Sequence, residues 1–210
     1  MLETMRKNGL VLAAFALVCT ALIAFTNKLT RSTIVEQEQA QLLQVLDELL
    51  PGDTHDEPLF EHCVKLQNLQ YLGSRDPLPV FTAVKQGEVQ GYAIEAIAPD
   101  GYSGAIKLVV GVNADGTLSG VRVLNHNETP GLGDKIELKK SRWLLDFNGK
   151  QLNGADDPRW AVRNDGGQFD AFTGATITPR AVVGAVRKVL LLVNEHPRLL
   201  TEAPRCGEML

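Results

Sequence analysis

Residues 80–124 read VFTAVKQGEVQGYAIEAIAPDGYSGAIKLVVGVNADGTLSGVRVL, and the architecture follows from this run. Segments 80–85, 89–98, 105–112 and 118–124 are rich in β-branched residues that suit a pleated, half-buried surface. Gln86 and Gly87, then Pro99-Asp100-Gly101, then Asp115 and Gly116 separate them. Asp-Gly is a strong hairpin signal, because glycine takes a positive φ without a Cβ clash. Strands joined by such short turns predict an antiparallel sheet.

Working outward toward the C-terminus, a helix is expected over 134–146, with Ile136, Leu138, Trp143 and Leu144 as its apolar positions. A loop over 148–167 follows. The spacing then predicts a helix over 179–194, with Thr178 as N-cap and Pro179 at the first helical position. Val182, Val183, Val186, Val189, Leu190 and Val193 make its apolar stripe. Strands followed by segregated helices define an α+β class, an antiparallel sheet with packed helices.

Toward the N-terminus, 51–79 is punctuated by proline and glycine. An amphipathic helix is expected over 30–50, carried by Ile34, Leu42, Leu46 and Leu49 and stopped by Pro51 and Gly52. Ahead of it, 9–25 reads GLVLAAFALVCTALIAF without one charge. At about 1.5 Å per residue that run spans roughly 25 Å, the short end of a bilayer crossing. A cleaved signal peptide fits poorly, because Leu22 and Ala24 do not make a small-residue cut site. Val18 is too bulky for lipidation at Cys19, and a buried helix would present a polar face. An uncleaved transmembrane anchor is the reading. Arg6 and Lys7 on one side nearly balance Lys28 and Arg31 on the other, and the free amino terminus tips the orientation to N-inside. The expected division is 1–28 cytoplasmic N-terminus and anchor, 29–79 helical stalk and connector, and 80–210 the main domain.

Composition bounds the rest. The chain has 210 residues and a formal net charge of −4, giving no basic footprint for nucleic acid. A mean hydropathy of −0.04 is the sum of one apolar span and a polar domain. Three cysteines exclude a disulfide-stapled scaffold. Outside the cytoplasm Cys63 and Cys206 have two fates, a pair or two separate thiols. The four histidines are scattered, with no HExxH or CxxC spacing, so no metal site is expected. No GxGxxG or Walker loop occurs either.

Residues 170–179, DAFTGATITP, pack small residues and hydroxyls ahead of a helix start. Free N–H groups and the positive end of a helix dipole favour an anion there. On the residues alone, two readings stay open: a phosphate cradle, or a plain capped helix start preceded by a turn. A membrane-tethered Thr or Ser hydrolase and a cofactor-free binding module are the rival functions. No histidine lies near Thr176 in sequence to activate it.

The 170–179 run resembles the S/T-G-A-T flavinylation motif of the FMN-binding domain family. Gly101-Tyr102-Ser103-Gly104 and His126-Asn127-Glu128-Thr129-Pro130-Gly131-Leu132-Gly133 resemble that family's flavin-lining segments, in the same order. With the anchor, the whole chain resembles the G subunits of Rnf (Rsx) electron transport complexes. The C subunit of sodium-pumping NADH:quinone reductase is a more distant likeness. The resemblance implies FMN joined covalently through a phosphoester to Thr176, with Thr173, Gly174 and Ala175 as phosphate cradle. It implies a flavin transferase that recognises Asp170. Tyr102 and Ser103 would flank the isoalloxazine. Glu128 and Thr129 would hydrogen-bond its polar edge or the ribityl chain, and Leu132 would wall it. Arg163 or Lys135 would neutralise the phosphate. The implied role is electron transfer between NADH and ferredoxin, or another acceptor, coupled to ion transport. The partners would be iron–sulfur and flavin subunits in the bacterial inner membrane, with the domain on the periplasmic side. No residue of the chain is expected to be catalytic.

Overall fold

The structure, a computed structural model, describes residues 2–207. The chain divides into two units, Met1–Leu43 and Gln44–Leu210.

Helix α1 runs unbroken over Leu2–Leu49, where the sequence suggests an anchor and a separate second helix. The polar break at Thr26, Asn27 and Lys28 does not end it, because it contains neither proline nor glycine. Thr26 and Thr30 instead donate their hydroxyls back to the Leu22 and Thr26 carbonyls, at 2.9 and 3.0 Å. Pro51 is the first true breaker. Within Glu3–Leu49 lies an apolar window long enough to cross a membrane, and none of that window is buried in the protein.

In the second unit the expected strands form at Leu78–Lys85 (β2), Glu88–Ala98 (β3), Ile106–Asn113 (β4) and Leu118–Asn125 (β5). A short strand that the sequence pattern does not announce, β1 at Cys63–Leu66, joins them at one edge. All five pair antiparallel in the order β1-β2-β3-β4-β5. Short turns permit this meander, since antiparallel neighbours need no crossover.

One sheet face, with Val80, Ile94, Ala96, Leu108 and Val110, shares a core with Val182, Val183, Val186, Val189 and Leu190. Those valines and leucines belong to the long C-terminal helix α3, Ile177–Glu195, which follows the one-turn helix α2, Leu69–Leu72, in chain order. The opposite face receives the last turn of α1. Gly111 and Gly120 face each other across β4 and β5. A Cβ on either would meet Leu49, at 3.1 Å and 2.9 Å, so the two glycines open a trough for that side chain. Leu46, Leu49 and Leu50 are buried. Each contributes about 1.5–3 kcal/mol by leaving water. Arg122 and Glu48 close the seam with an ion pair at 2.7 Å.

The C-terminal segment covers the exposed edge of β1. Lys65 donates its N–H to the Pro204 carbonyl at 2.8 Å, and Cys206 donates to the Cys63 carbonyl at 2.9 Å. Cys63 and Cys206 are joined as a disulfide with Cα atoms 5.4 Å apart, which resolves the alternative left open by the sequence. Pairing and crosslinking both blunt an edge that would otherwise template aggregation.

The helix expected over 134–146 is absent. Two short 3₁₀ turns, Gly133–Ile136 and Trp143–Phe147, stand there instead. Aromatic packing overrides the helical spacing: Trp143 lies edge-on to Phe147 and to Phe172, and Phe147 stacks on Phe169 with centroids 4.4 Å apart. Trp143 also donates its indole N–H to the Asp170 carbonyl at 2.9 Å, which fixes the start of the 170–179 segment.

Candidate flavin site

Three segments distant in sequence meet at the head of α3: the β3–β4 loop, the residues after β5, and the turn into α3. Helix α3 begins at Ile177, two residues before the expected start, with Thr176 in the N-cap position. Thr178 is therefore not the cap. Its hydroxyl turns inward, fully buried, and donates to Glu128 Oε2. Pro179 keeps a place in the first turn, where an N–H has no intrahelical acceptor to lose.

The turn before the helix is built by Phe172, Thr173, Gly174 and Ala175. Ala175 donates its N–H to the Phe172 carbonyl at 3.0 Å, and Gly174 takes φ +81°, a value costly for residues with a Cβ. Thr173 and Gly174 are exposed, and Ala175 and Thr176 half-buried. The Thr176 hydroxyl caps no backbone N–H. It stands beside the first N–H groups of a 19-residue helix, whose dipole favours a negative group. A hydroxyl, uncapped helix N–H groups and an exposed glycine turn are a donor set that fits the phosphate end of FMN.

Glu128 sits at the centre of the three segments with only 4% exposure. Its Oε1 accepts the Ser103 N–H at 3.1 Å, and its Oε2 accepts the Thr178 hydroxyl. Its own N–H donates to His126 Nδ1 at 3.0 Å, and His126 Nε2 meets Glu137 Oε1 at 3.1 Å. The surroundings are tight. A Cβ at Gly133 would lie 2.8 Å from Glu128 Oε2 and 2.9 Å from Thr178 Oγ1, and one at Gly101 would lie 2.9 Å from Glu128 Oε1. Sequence reasoning missed this use of Thr178. The available signal was the pair of glycine-flanked motifs, which leave clearance for a buried side chain.

Around this centre the apolar residues are open. Tyr102 is 70% exposed, Leu132 42% and Ile177 43%. Leu132 Cδ2 lies 3.5 Å from the Cβ position of Gly174, so the 126–133 segment reaches the turn. The Thr129 carbonyl gathers the N–H groups of Leu132 and Gly133, both at 3.1 Å, and holds that bend.

Charges line the rim. Arg163 pairs with Asp170 at 2.9 Å, both exposed, and Arg180 grips Asp165 at 2.6 and 2.8 Å. The Arg180 guanidinium holds the Asp165 carboxyl below the usual carboxylate range. Asp134 is likewise lowered, first by the Gly131 backbone N–H and then by Lys140. Lys135 is half-buried. The structure thus brings Ser103, Glu128, Leu132 and the Gly174 turn together, and leaves Asp170 outward on the rim. Among the described residues, no group of three or more His, Cys, Asp or Glu side chains is placed to hold a metal ion.

A sheet backed by one long helix, with the site at the helix head, defines an FMN-binding domain, and residues 101–191 match the FMN-binding domain family. Residues 1–49 match the RnfG N-terminal region. Proteins named as the G subunit of an ion-translocating oxidoreductase complex are similar over essentially the full length. The one from Shewanella piezotolerans is 50% identical over 209 residues, covering 100% of this chain and 99% of its own. That of Vibrio atlanticus is 53% identical over 208 residues, 99% of each chain. One from Vibrio cholerae is 54% identical over 204 residues, 97% of each. The chain belongs to the family of ion-translocating oxidoreductase complex G subunits.

Proposed function

We propose that this protein is a membrane-anchored electron-transfer subunit of an Rnf-type complex, carrying FMN covalently on Thr176. The observation that carries the reading is Thr176 itself. It is half-buried at the N-cap of α3, its hydroxyl is not spent on the helix, and a glycine turn stands before it. FMN supplies reversible electron acceptance and donation when bound, and the chain's residues set where it sits.

Attachment is by a flavin transferase acting on the exposed 170–176 turn, with Asp170 on the rim as its recognition residue. The Thr176 Oγ–P bond forms as the P–O bond to the leaving group of an activated flavin donor breaks, and the hydroxyl proton passes to the transferase or water. Thr173, Gly174, Ala175 and the α3 N–H groups then hold the phosphate, with Arg163 or Lys135 supplying positive charge. Tyr102, Ser103, Thr129 and Leu132 line the ring and ribityl chain, with Glu128 beneath them. A phosphoester keeps the flavin on the chain at sites exposed to solvent.

The electrons run between NADH and ferredoxin, or another acceptor, through iron–sulfur and flavin subunits. Ion movement belongs to those other subunits, since residues 9–25 carry no charge to line a path. The proposed placement is the bacterial inner membrane, N-terminus inside and the domain in the periplasm. The Cys63–Cys206 disulfide supports that side, because such bonds persist in oxidising compartments.

The test is expression with and without a flavin transferase, followed by denaturing electrophoresis under ultraviolet light. Wild type made with the transferase should fluoresce as a band, and Thr176→Ala should be dark. A dark wild-type band from transferase-containing cells rejects the reading.

A further inference from the structure

We infer that Glu128 and Thr178 form a clamp that positions the flavin from beneath, holding the Tyr102–Ser103 loop against the head of α3. The inference rests on Thr176 as the attachment residue. It differs from the direct flavin hydrogen bond expected of Glu128 from the sequence.

The geometry leaves Glu128 little to offer a ligand. Its residue is 4% exposed, and each carboxylate oxygen already accepts a hydrogen bond, one from the Ser103 N–H and one from the Thr178 hydroxyl. Thr178 is fully buried and gives its one hydroxyl proton to that carboxylate. Bonds to an ionised acceptor are roughly twice as strong as neutral ones. A carboxylate buried this deeply needs them, since desolvation without them is costly. A Cβ at Gly101 would lie 2.9 Å from Oε1 and one at Gly133 2.8 Å from Oε2, so the carboxylate sits in a slot that a side chain at either position would close.

Mechanically, the clamp joins two parts of the site through Glu128, which stands 25 residues from Ser103 and 50 from Thr178 in sequence. One end is the amide of Ser103, next to the 70% exposed Tyr102. The other end is Thr178, two residues beyond Thr176. Glu128 and Thr178 are thus positioning residues: they act on the flavin through Ser103, Tyr102 and the α3 head.

The experiment uses the full-length chain made with a flavin transferase, in detergent, as wild type, Thr178→Val, Thr178→Ser and Glu128→Gln. Thr176 is untouched in each, and every spectrum is compared per mole of bound flavin. In Thr178→Val, flavin fluorescence should rise about twofold or more and the visible circular dichroism of the flavin should weaken, because Tyr102 no longer packs in place. Thr178→Ser, which keeps the hydroxyl, should restore both. Glu128→Gln keeps an acceptor for Ser103 but loses the charge, and should fall between them. Hydrogen exchange at the Ser103 amide should be about tenfold or more faster in Thr178→Val than in wild type, with bulk secondary structure unchanged. Flavinylated Thr178→Val and Glu128→Gln with wild-type fluorescence, dichroism and Ser103 exchange overturn the clamp. A wild-type chain without flavin overturns the attachment reading instead, and Ser103 exchange still judges the clamp, since it needs no flavin.

Discussion

Gly133 and Gly184 show how differently two glycines of one domain are constrained. A Cβ at Gly133 would press on Glu128 Oε2 and Thr178 Oγ1 at 2.8 and 2.9 Å, whereas one on Gly184, inside α3, would meet nothing within 4 Å. Gly133→Ala should therefore destabilise by about 1–3 kcal/mol through overpacking. Gly184→Ala should stabilise by roughly 0.5–1 kcal/mol, because glycine in a helix interior costs backbone entropy. Urea denaturation of both variants checks the opposite signs. At this scale the sequence is half legible. The Thr173–Thr176 turn reads directly, since its residues are contiguous and small. The partner of Thr178 does not, because Glu128 is 50 residues away and no local pattern pairs them.

Elements are legible where period and turn chemistry agree. Strands β2 to β5 carry β-branched runs bounded by glycine turns, and they form within two residues of expectation. Strand β1 has four residues, too few to show alternation, and owes its place to the C-terminal segment laid beside it. The 134–146 segment misleads because its apolar spacing serves an aromatic cluster rather than a helix face. The Cys63–Cys206 bond ties that C-terminal segment to β1 across 143 residues. Loop-closure entropy for so long a span gives a stabilisation of about 2–5 kcal/mol. Reduction, or Cys206→Ser, should lower the melting temperature by several degrees while leaving the proposed flavin attachment unaffected, since Thr176 is on other elements. Thermal melts with and without a dithiol reductant measure the shift.

At the scale of the whole molecule, the sequence suggests a boundary near residue 80, and the packing draws the second unit from Gln44. The reason is physical: Leu46, Leu49 and Leu50 are buried with the sheet, Leu49 against Gly111 and Gly120, so the end of α1 belongs to the domain. A chain of residues 44–210 should fold as a soluble unit with a cooperative transition. One beginning at residue 51 loses these three leucines and the Arg122–Glu48 pair, and should be weaker by several kcal/mol or fail to fold. Circular dichroism melts of the two truncations separate these outcomes. The 44–210 chain also carries the proposed flavin site without the apolar span.

The proposed role of this chain depends on one covalent bond, between Thr176 and the phosphate of FMN. Peptide mass spectrometry of the full-length chain, purified from cells containing a flavin transferase, addresses it most directly. The peptide spanning 170–180 should gain the mass of one FMN less one water, with fragmentation placing the adduct on Thr176. An unmodified peptide from such cells, or an adduct on Thr173 or Thr178, would contradict that role.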